Sequence, residues 1–577
     1  MPETAPETPP ETSGRGLALA ACLLIAATIL GGIASHSLWT PDEPTGAAVG
    51  RAMLEGGGLV LTTLNGQPFL EKPPLYWWVQ VAGLRAFGFT PWAARLPSAL
   101  FALLTLGLTY LAGRRLGGRR VGLLAGGVLA TTALFVEDVG RVLVDPALMF
   151  FVALSHAGFA LLAEARSTRE RLWAARLIAV ALPLAFLSKG VVTLALAAFP
   201  PVAYLLVARR GRAMRELLPV AWRAVVAFAA LVVPWALALY RAGGADAVRE
   251  CLLHNMTGRF LPTAAGEIYG HRQPPWYYLT NASATLLPWI AAVPGVLRCA
   301  LGRRDAARPG AAARNLLLAT LGLSVVLLSA AASKRELYLL PLLPALALCI
   351  ALWLAATEED VALCAACWGR PTRFVLLALA AFLSLVLGAA LLAVPWVPAL
   401  HQALRPAPGP QTVAPLAATG LLLLALGGAV VFQVARHRRS GALPGAPWLI
   451  GPYLVVFLLV QTGIKAWLDP LKSLDDLTAA IARDLPGGDP VPAYVPPRTS
   501  PESLFGIVGF NLGRRTERLR TPEELAGFCA ARSAARLVIQ IEAVAKLPPG
   551  LRGRLRYVYD ETGRKASPYA IADCGEP

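Results

Sequence analysis

Four short segments of the chain place carboxylates and cations close together, each bounded by long apolar runs. The first holds Asp42 and Glu43, then Glu71 and Lys72 just ahead of Leu75-Tyr76-Trp77-Trp78. The second ends on Asp145-Pro146, and the third carries His254 and Arg259 more than a helical turn apart. The fourth reads Ser333-Lys334-Arg335-Glu336-Leu337-Tyr338. Cations of these types bind phosphate: Arg through two parallel hydrogen bonds, Lys as a compact charge. The carboxylates can take a proton from an acceptor or hold a metal ion. Together they could hold a phosphate or phosphodiester and move a proton beside it. Taken singly, each has a plainer reading. Asp42 and Glu43 suit the acidic start of a surface helix, Asp145 suits an N-cap, and His254 suits a hydrogen-bonded structural role. Trp77 and Trp78 suit interface anchors. The chemical reading therefore depends on these residues meeting in one place.

The elements that must position them are membrane helices. The chain is 56% apolar and only 15% charged, with a mean hydropathy of +0.56. Its apolar residues fall in runs of roughly 18–23, the length that crosses the hydrocarbon core as a helix. Backbone polar groups cannot stay unpaired in lipid, so the runs are expected to be helices. A window of about 19 residues gives about thirteen spans. The first run, Gly16 to Ala34, follows the acidic, Pro-rich stretch Met1 to Ser13. A secretory leader starts basic and has a shorter apolar core, so this run is expected to be retained as a helix.

The net charge of +18 raises the question of nucleic acid. The charge instead sits in short loops: Arg114, Arg115, Arg119 and Arg120; Arg209, Arg210, Arg212 and Arg215; Arg303, Arg304 and Arg308; Arg436, Arg438 and Arg439. Alternation of such loops with less basic ones is the positive-inside pattern. No nucleic-acid partner is expected, and contact with anionic lipid is. The pattern puts residues 1–15 in the cytoplasm as a disordered head. Loops 36–91, 137–145, 241–275, 333–336 and 396–411 then face outward, with the tail. Lys334 and Arg335 break the positive-inside bias, which implies an anionic partner, and Ser188-Lys189-Gly190 repeats the anomaly. Reporter fusions at Arg119 and Arg439 are expected to report cytoplasm, and fusions near Glu71 and Pro577 the outside. A cytoplasmic signal at Pro577 would detach the tail from the active face.

Residues 16–465 form the expected membrane domain, and residues 466–577 an outer α/β domain. The tail has ordinary charge and short β-like runs at Val491–Val495, Arg536–Ile541 and Arg556–Tyr559. Helical spacing at Ser473–Asp484 and Thr521–Ala531 alternates with them, which predicts a small α/β unit. Cys529 and Cys574 both lie there, where a disulfide could persist. Cys364 and Cys367 form a C-x-x-C with no second pair, a weak signal. Asn255-Met-Thr and Asn281-Ala-Ser match the glycosylation sequon, a frequent chance match. The sequence shows no tandem repeat, P-loop or zinc spacing, and no nucleotide cofactor is expected.

At these residues the chain resembles the bacterial glycosyltransferases of the C-type fold, in particular the 4-amino-4-deoxy-L-arabinose lipid A transferases, relatives of the protein O-mannosyltransferases. The motifs are PDE at Pro41–Glu43, NGQPFLEKPPLYWW at Asn65–Trp78, ARLPSAL at Ala94–Leu100 and DP at Asp145–Pro146. FLSKG at Phe186–Gly190, PPWYY at Pro274–Tyr278 and SKRELYLLPLLPALAL at Ser333–Leu348 continue it. The resemblance implies a polytopic inner-membrane enzyme of about thirteen helices, with its active site and C-terminal α/β domain periplasmic. It implies catalytic roles for Asp42 and Asp145, with Glu43 beside them. Lys72, Arg259, Lys334, Arg335 and Tyr338 would hold the carrier phosphate, and Glu71 and His254 match positions that can hold a divalent metal ion. The family's acidic pair is usually followed by a run with Arg and Tyr. Here Pro44-Thr45-Gly46 follows instead, a departure that bears on the sugar more than on the reaction.

The resulting expectation is an inverting transfer from a polyprenyl-phosphate-linked sugar donor to a lipid A-type or other envelope acceptor. Asp42 serves as base if the acceptor is a hydroxyl. A protein acceptor is the alternative within the same chemistry. A lipid-linked sugar flippase is the rival of another class. It would place charge within the spans or show repeat symmetry, whereas the charge here clusters at one face.

Overall fold

The computed structural model describes residues 11–575 except 210–211, 255–271, 303–307, 309, 398–409, 441–444, 489, 498–500, 532–534 and 560–567. The apolar runs are helices, as the need to pair every backbone N–H and C=O in lipid requires. Seven of them come first and carry most of the site. They are α1 (Glu11–Ala34), α2 (Asp42–Ala52), α3 (Leu75–Phe87), α4 (Pro91–Ala130), α5 (Ala133–Asp138), α6 (Asp145–Glu164) and α7 (Thr168–Lys189). Among the described residues, eleven helices are long and apolar enough to cross a membrane, or twelve if the bent pair Tyr277–Thr285 and Trp289–Leu301 counts as one span. About thirteen were expected from the window count. The chain is a multi-pass membrane protein.

Two departures from the expected spans have local causes. Two expected spans, centred near Leu103 and Val128, lie in the single 40-residue α4. That helix breaks at Gly117 and Gly118, where Gly118 takes a φ of 84° that favours glycine. Beyond the break the chain doubles back: a Cβ on Gly122 would lie 2.6 Å from the carbonyl oxygen of Tyr110. Twelve residues of straight helix would separate them by about 18 Å. The span expected near Leu286 is bent by 112° at Leu286–Pro288.

A third irregularity shows how the bundle satisfies its backbone. Pro200 and Pro201 interrupt the run Val192–Arg209. Lacking N–H groups, they leave the carbonyls of Leu196 and Ala197 without their usual helical donors. Two α6 side chains fill the gap: Ser155 Oγ donates to Ala197 O at 2.8 Å, and His156 Nε2 meets Leu196 O at 3.0 Å.

The last long helix starts at Ala446 and runs through Lys472, past the boundary expected at 465. Beyond it lies a five-stranded mixed sheet. Numbered after the short ribbon β1 (Thr63–Leu64) and β2 (Gln67–Pro68), its strands are β3 (Val491–Tyr494), β4 (Thr516–Leu519), β5 (Arg536–Gln540), β6 (Leu555–Tyr559) and β7 (Tyr569–Cys574). Their order is β4-β3-β5-β7-β6, with β3 parallel to both β4 and β5 and the other pairs antiparallel. Three strands lie where β-like runs were read. The other two, β4 and β7, were not anticipated. Cys529 and Cys574 are disulfide-bonded. Cys364 and Cys367 are buried free thiols.

The sheet unit does not stand apart from the first loop. Leu38, Ala47, Val49 and Tyr76 share one apolar core with Leu477, Ile481, Val491, Phe510 and Ile571. Gly506 lets helix Glu502–Ile507 lie directly on α2, since a Cβ there would sit 2.4 Å from the Pro44 carbonyl carbon. Asn65 clasps Thr516 on edge strand β4, accepting from its N–H at 2.6 Å and donating to its carbonyl at 2.9 Å. Asp469 accepts from Ser37 N at 3.1 Å, Ser37 Oγ at 2.6 Å and Trp39 Nε1 at 2.8 Å.

Candidate active site

The residues singled out by type and spacing lie around one pocket of about 520 Å³ at the end of the bundle that meets the sheet unit. Asp42, Glu71, Lys72, Asp145, Arg335 and Tyr338 line it. Lys189, read from sequence only as an unexplained cation, lines it too. Each cation of the lining faces a carboxylate. Arg335 Nη2 is 2.6 Å from Asp42 Oδ2, Lys72 Nζ is 3.1 Å from Glu71 Oε2, and Lys189 Nζ is 2.5 Å from Asp145 Oδ1. Lys189 also lies 4.7 Å from the centre of the Tyr338 ring, within the range of cation–π attraction.

Local sequence explains how these groups are presented. Asp42 opens α2 and Asp145 opens α6, each followed by apolar helix that fixes its direction. Lys189 ends α7, where Gly190 terminates the helix at φ 83°. Arg335 and Tyr338 sit in the tight turn that begins the span Glu336–Glu359.

Glu43 and Lys334 must be corrected. Glu43 does not line the pocket and is fully buried with Arg95, both 0% exposed. Its carboxylate accepts from Arg95 Nε at 2.7 Å, Arg95 Nη2 at 2.9 Å, Trp39 N at 2.9 Å and Val142 N at 3.0 Å. Burial alone would raise its pKa. The Arg95 guanidinium and these hydrogen bonds overcome that and hold it down at about 2. Arg95 in turn donates to the carbonyls of Ile33, His36 and Ser37. The pair ties the end of α1, the start of α2 and the loop before Asp145 into one unit. Lys334 is 2% exposed and donates to the carbonyls of Gln273 and Ala331. It fastens two turns together and is not among the residues lining the pocket.

The two most specific motifs are also largely scaffold. In LYWW, Tyr76 OH lies 2.9 Å from Ser98 Oγ of ARLPSAL. Ser98 Oγ donates onward to the carbonyl of Arg141 at 2.6 Å. Arg141 reaches both Asp42, at 3.8 Å, and Asp138, at 3.4 Å. Burial pushes the Asp138 carboxyl up to about 7. Arg141 opposes that shift, and Asp145 and Glu137 add to it.

Arg259 lies outside the described residues. His254 belongs to the turn Glu250–His254, and its side chain lies outside what is described. Glu71 has Lys72 as its partner. Among the described residues there is no group of three His, Cys, Asp or Glu side chains placed to hold a metal ion. Sequence reasoning missed the far wall altogether. Glu502, Ser503, Gln540 and Tyr569 of the sheet unit line the same pocket. Their segments have ordinary composition, and nothing in type or spacing marks them.

Known proteins match this chain in both sequence and fold. Residues 50–243 match the family model described as dolichyl-phosphate-mannose-protein mannosyltransferase. An undecaprenyl phosphate-α-4-amino-4-deoxy-L-arabinose arabinosyl transferase of Pseudomonas aeruginosa is 33% identical over 317 residues, 55% of this chain and 55% of the relative. The enzyme of the same name from Pectobacterium carotovorum is 32% identical over 329 residues, 56% of each chain. The match thus spans just over half the length of these relatives. Two crystal structures of ArnT from Cupriavidus metallidurans share the fold over nearly the whole chain. The apo form gives a TM-score of 0.73 at 21% identity, covering 98% of this chain and 99% of that one. The form bound to undecaprenyl phosphate gives 0.72 at 21% identity, covering 97% and 99%. The protein is therefore a multi-pass membrane protein of the glycosyltransferase C-type fold that resembles the undecaprenyl-phosphate aminoarabinose transferases.

Proposed function

We propose that the chain transfers a sugar from a polyprenyl-phosphate carrier to a lipid A-type or other envelope acceptor at the periplasmic face of the inner membrane, inverting the anomeric carbon. The observation that carries this is the meeting of three cation–carboxylate pairs in one pocket at the membrane boundary. Before a carrier binds, each carboxylate holds its cation in place. A carrier phosphate competes for Lys72, Lys189 and Arg335, and charge-assisted bonds to phosphate replace those to carboxylate. Arg335 then releases Asp42.

The reaction forms a bond from an acceptor oxygen to the anomeric carbon and breaks the bond from that carbon to the phosphate oxygen. The bonding pair leaves with the phosphate, whose growing charge Lys72, Lys189 and Arg335 stabilise, with Arg259. If the acceptor is a hydroxyl, its proton passes to Asp42. A lipid phosphate acceptor is already anionic and needs no base. Asp145 is held by Lys189 and orients the site. A divalent metal ion on Glu71 and His254, a carboxylate–imidazole set suited to such ions, would add positive charge beside the carrier phosphate. No step here passes through it.

The donor for which the relatives are named, undecaprenyl-phosphate aminoarabinose, is the first to test. The match to the mannosyltransferase model favours a second reading, with a protein hydroxyl as acceptor. Product analysis with lipid A and with peptide acceptors separates the two.

Lys72→Ala and Arg259→Ala are each expected to weaken undecaprenyl-phosphate binding and slow transfer in reconstituted protein, both by about tenfold or more. Arg259→Lys should recover only part, because Lys lacks the two-pronged donor. Mass spectrometry of the carrier is decisive. A carrier that stays glycosylated with every acceptor, yet crosses the bilayer faster when the protein is present, would establish a transporter instead.

A further inference from the structure

The pocket has two chemically different walls. All three cations of its described lining come from the membrane bundle: Lys72 and Arg335 from connecting segments and Lys189 from the end of α7. The sheet unit contributes a carboxylate, a hydroxyl, a carboxamide and a phenol: Glu502, Ser503, Gln540 and Tyr569. That wall carries no cation among its described lining, and Glu502 would repel a phosphate. Burial, with Glu71 and Asp42 nearby, raises the pKa of Glu502. Its groups are those that exchange hydrogen bonds with the hydroxyls of a sugar ring.

Gln540 is the focus of this wall. It ends β5, the central strand of the sheet, and its register partner on β7 is Tyr569. Two side chains of the lining thus stand side by side on paired strands, a rigid mount for recognition. The carboxyl ends of strands in open sheets are where ligands commonly bind. Gln540 is 8% exposed, and its side-chain oxygen has no hydrogen-bond partner among the described residues. A buried acceptor without a donor is costly, and a turn of the carboxamide toward the pocket, where a ligand O–H or N–H meets it, removes the cost.

The carrier's covalent order fixes which part of it arrives here. The polyprenyl chain lies in the membrane, the phosphate follows at the boundary, and the sugar lies beyond. With the phosphate on these cations, the sugar points to the sheet unit. We infer that this wall, centred on Gln540, is the subsite that reads the sugar of the carrier-linked donor, with the Gln540 carboxamide hydrogen-bonded to a ring substituent. The inference rests on the transferase reading and adds to it the part of the chain that selects the sugar. A site built to hydrogen-bond a substrate group discriminates strongly against an analogue lacking it.

The test compares two probes on the full-length protein in lipid nanodiscs: undecaprenyl phosphate, and undecaprenyl phosphate carrying 4-amino-4-deoxy-L-arabinose. Gln540→Met keeps size and removes the hydrogen bonds. It is expected to bind undecaprenyl phosphate within about twofold of wild type and the glycosylated carrier about tenfold more weakly. Gln540→Asn stays neutral, withdraws the carboxamide by one methylene, serves if the Met variant fails to fold, and should weaken binding of the glycosylated carrier alone, by about threefold or more. In transfer assays the donor KM should rise while the acceptor KM holds. Equal weakening for both probes, no weakening for either, or a change confined to the acceptor KM overturns the inference. These outcomes are separable from failure of the transferase reading. In that case the wild-type protein itself leaves the glycosyl–phosphate bond intact, while the contrast between the two probes still reports on the wall.

Discussion

Asp42→Asn is expected to leave the protein folded and to lower sugar transfer to a hydroxyl acceptor by about 10²–10⁴-fold, the range a positioned general base supplies. Asn keeps the size of Asp and one acceptor oxygen but cannot take the acceptor's proton. It also removes the charge that holds Arg335, so the cation is freer for phosphate. Carrier binding should therefore hold or tighten while turnover falls. This split distinguishes a reacting group from a structural one. If Asp42 merely favoured the start of α2 through the helix dipole, the substitution would cost roughly 0.3–1 kcal/mol of stability and little activity. Normal transfer with a slightly lowered melting temperature would reduce Asp42 to that role.

The largest effect on stability is expected at Arg95. Arg95→Met would leave the Glu43 carboxylate buried without its counter-charge and would strand the carbonyls of Ile33, His36 and Ser37. Removing one partner of a buried pair costs on the order of 3–5 kcal/mol. The variant should show a much lower melting temperature in detergent and poor yield. Adding Glu43→Gln to Arg95→Met should recover part of the loss, since the remaining carboxamide is neutral. The same pair makes a pH prediction. Glu43 has a folded pKa of about 2, below its ordinary value of 4.5. Its contribution is fully present above pH 4.5 and is lost as the pH falls toward 2. Melting temperature should drop over that window in the wild type, and the Glu43→Gln variant should lack this component. Equal acid sensitivity in both would place the lability elsewhere.

Much of the bundle was legible because lipid imposes a strict rule on the backbone, and apolar run length reports it. What window counting could not register is how a span is broken. Gly117-Gly118 folds one helix back on itself, and the segment at Leu286–Pro288 turns another through 112°. The candidate site was legible at Arg335, where charge broke an expected pattern, and at Lys72, where carboxylate, cation and aromatics cluster, while the same anomaly at Lys189 was noted without a role. It was misread where neighbours in sequence point apart. Successive helical residues project about 100° from one another. Asp42 thus faces the pocket while Glu43 faces the scaffold, although a bare Asp-Glu looks like one catalytic unit. Lys334 and Arg335 divide as well, but in non-helical backbone just before the turn, where the extended Arg335 turns away from its neighbour. EKPPLYWW and ARLPSAL were recognisable as motifs, but that their Tyr76, Arg95 and Ser98 are buried in a hydrogen-bonded frame was not legible. Glu502 and Gln540 reach the pocket through sheet topology alone, which a linear reading does not contain.

The clasp of Asn65 on Thr516 closes a separation of 451 residues, and that of Ser37 on Asp469 closes 432. During synthesis, the ribosome has made every phosphate-facing cation of the described lining once Arg335 has emerged. The half of the pocket from Glu502 to Tyr569 does not yet exist. A nascent chain inserted that far has the cations but neither the opposite wall nor the core partners Leu477, Val491 and Phe510 that hold the first loop in place. The pocket is complete only once the last strand, β7, has paired with β5.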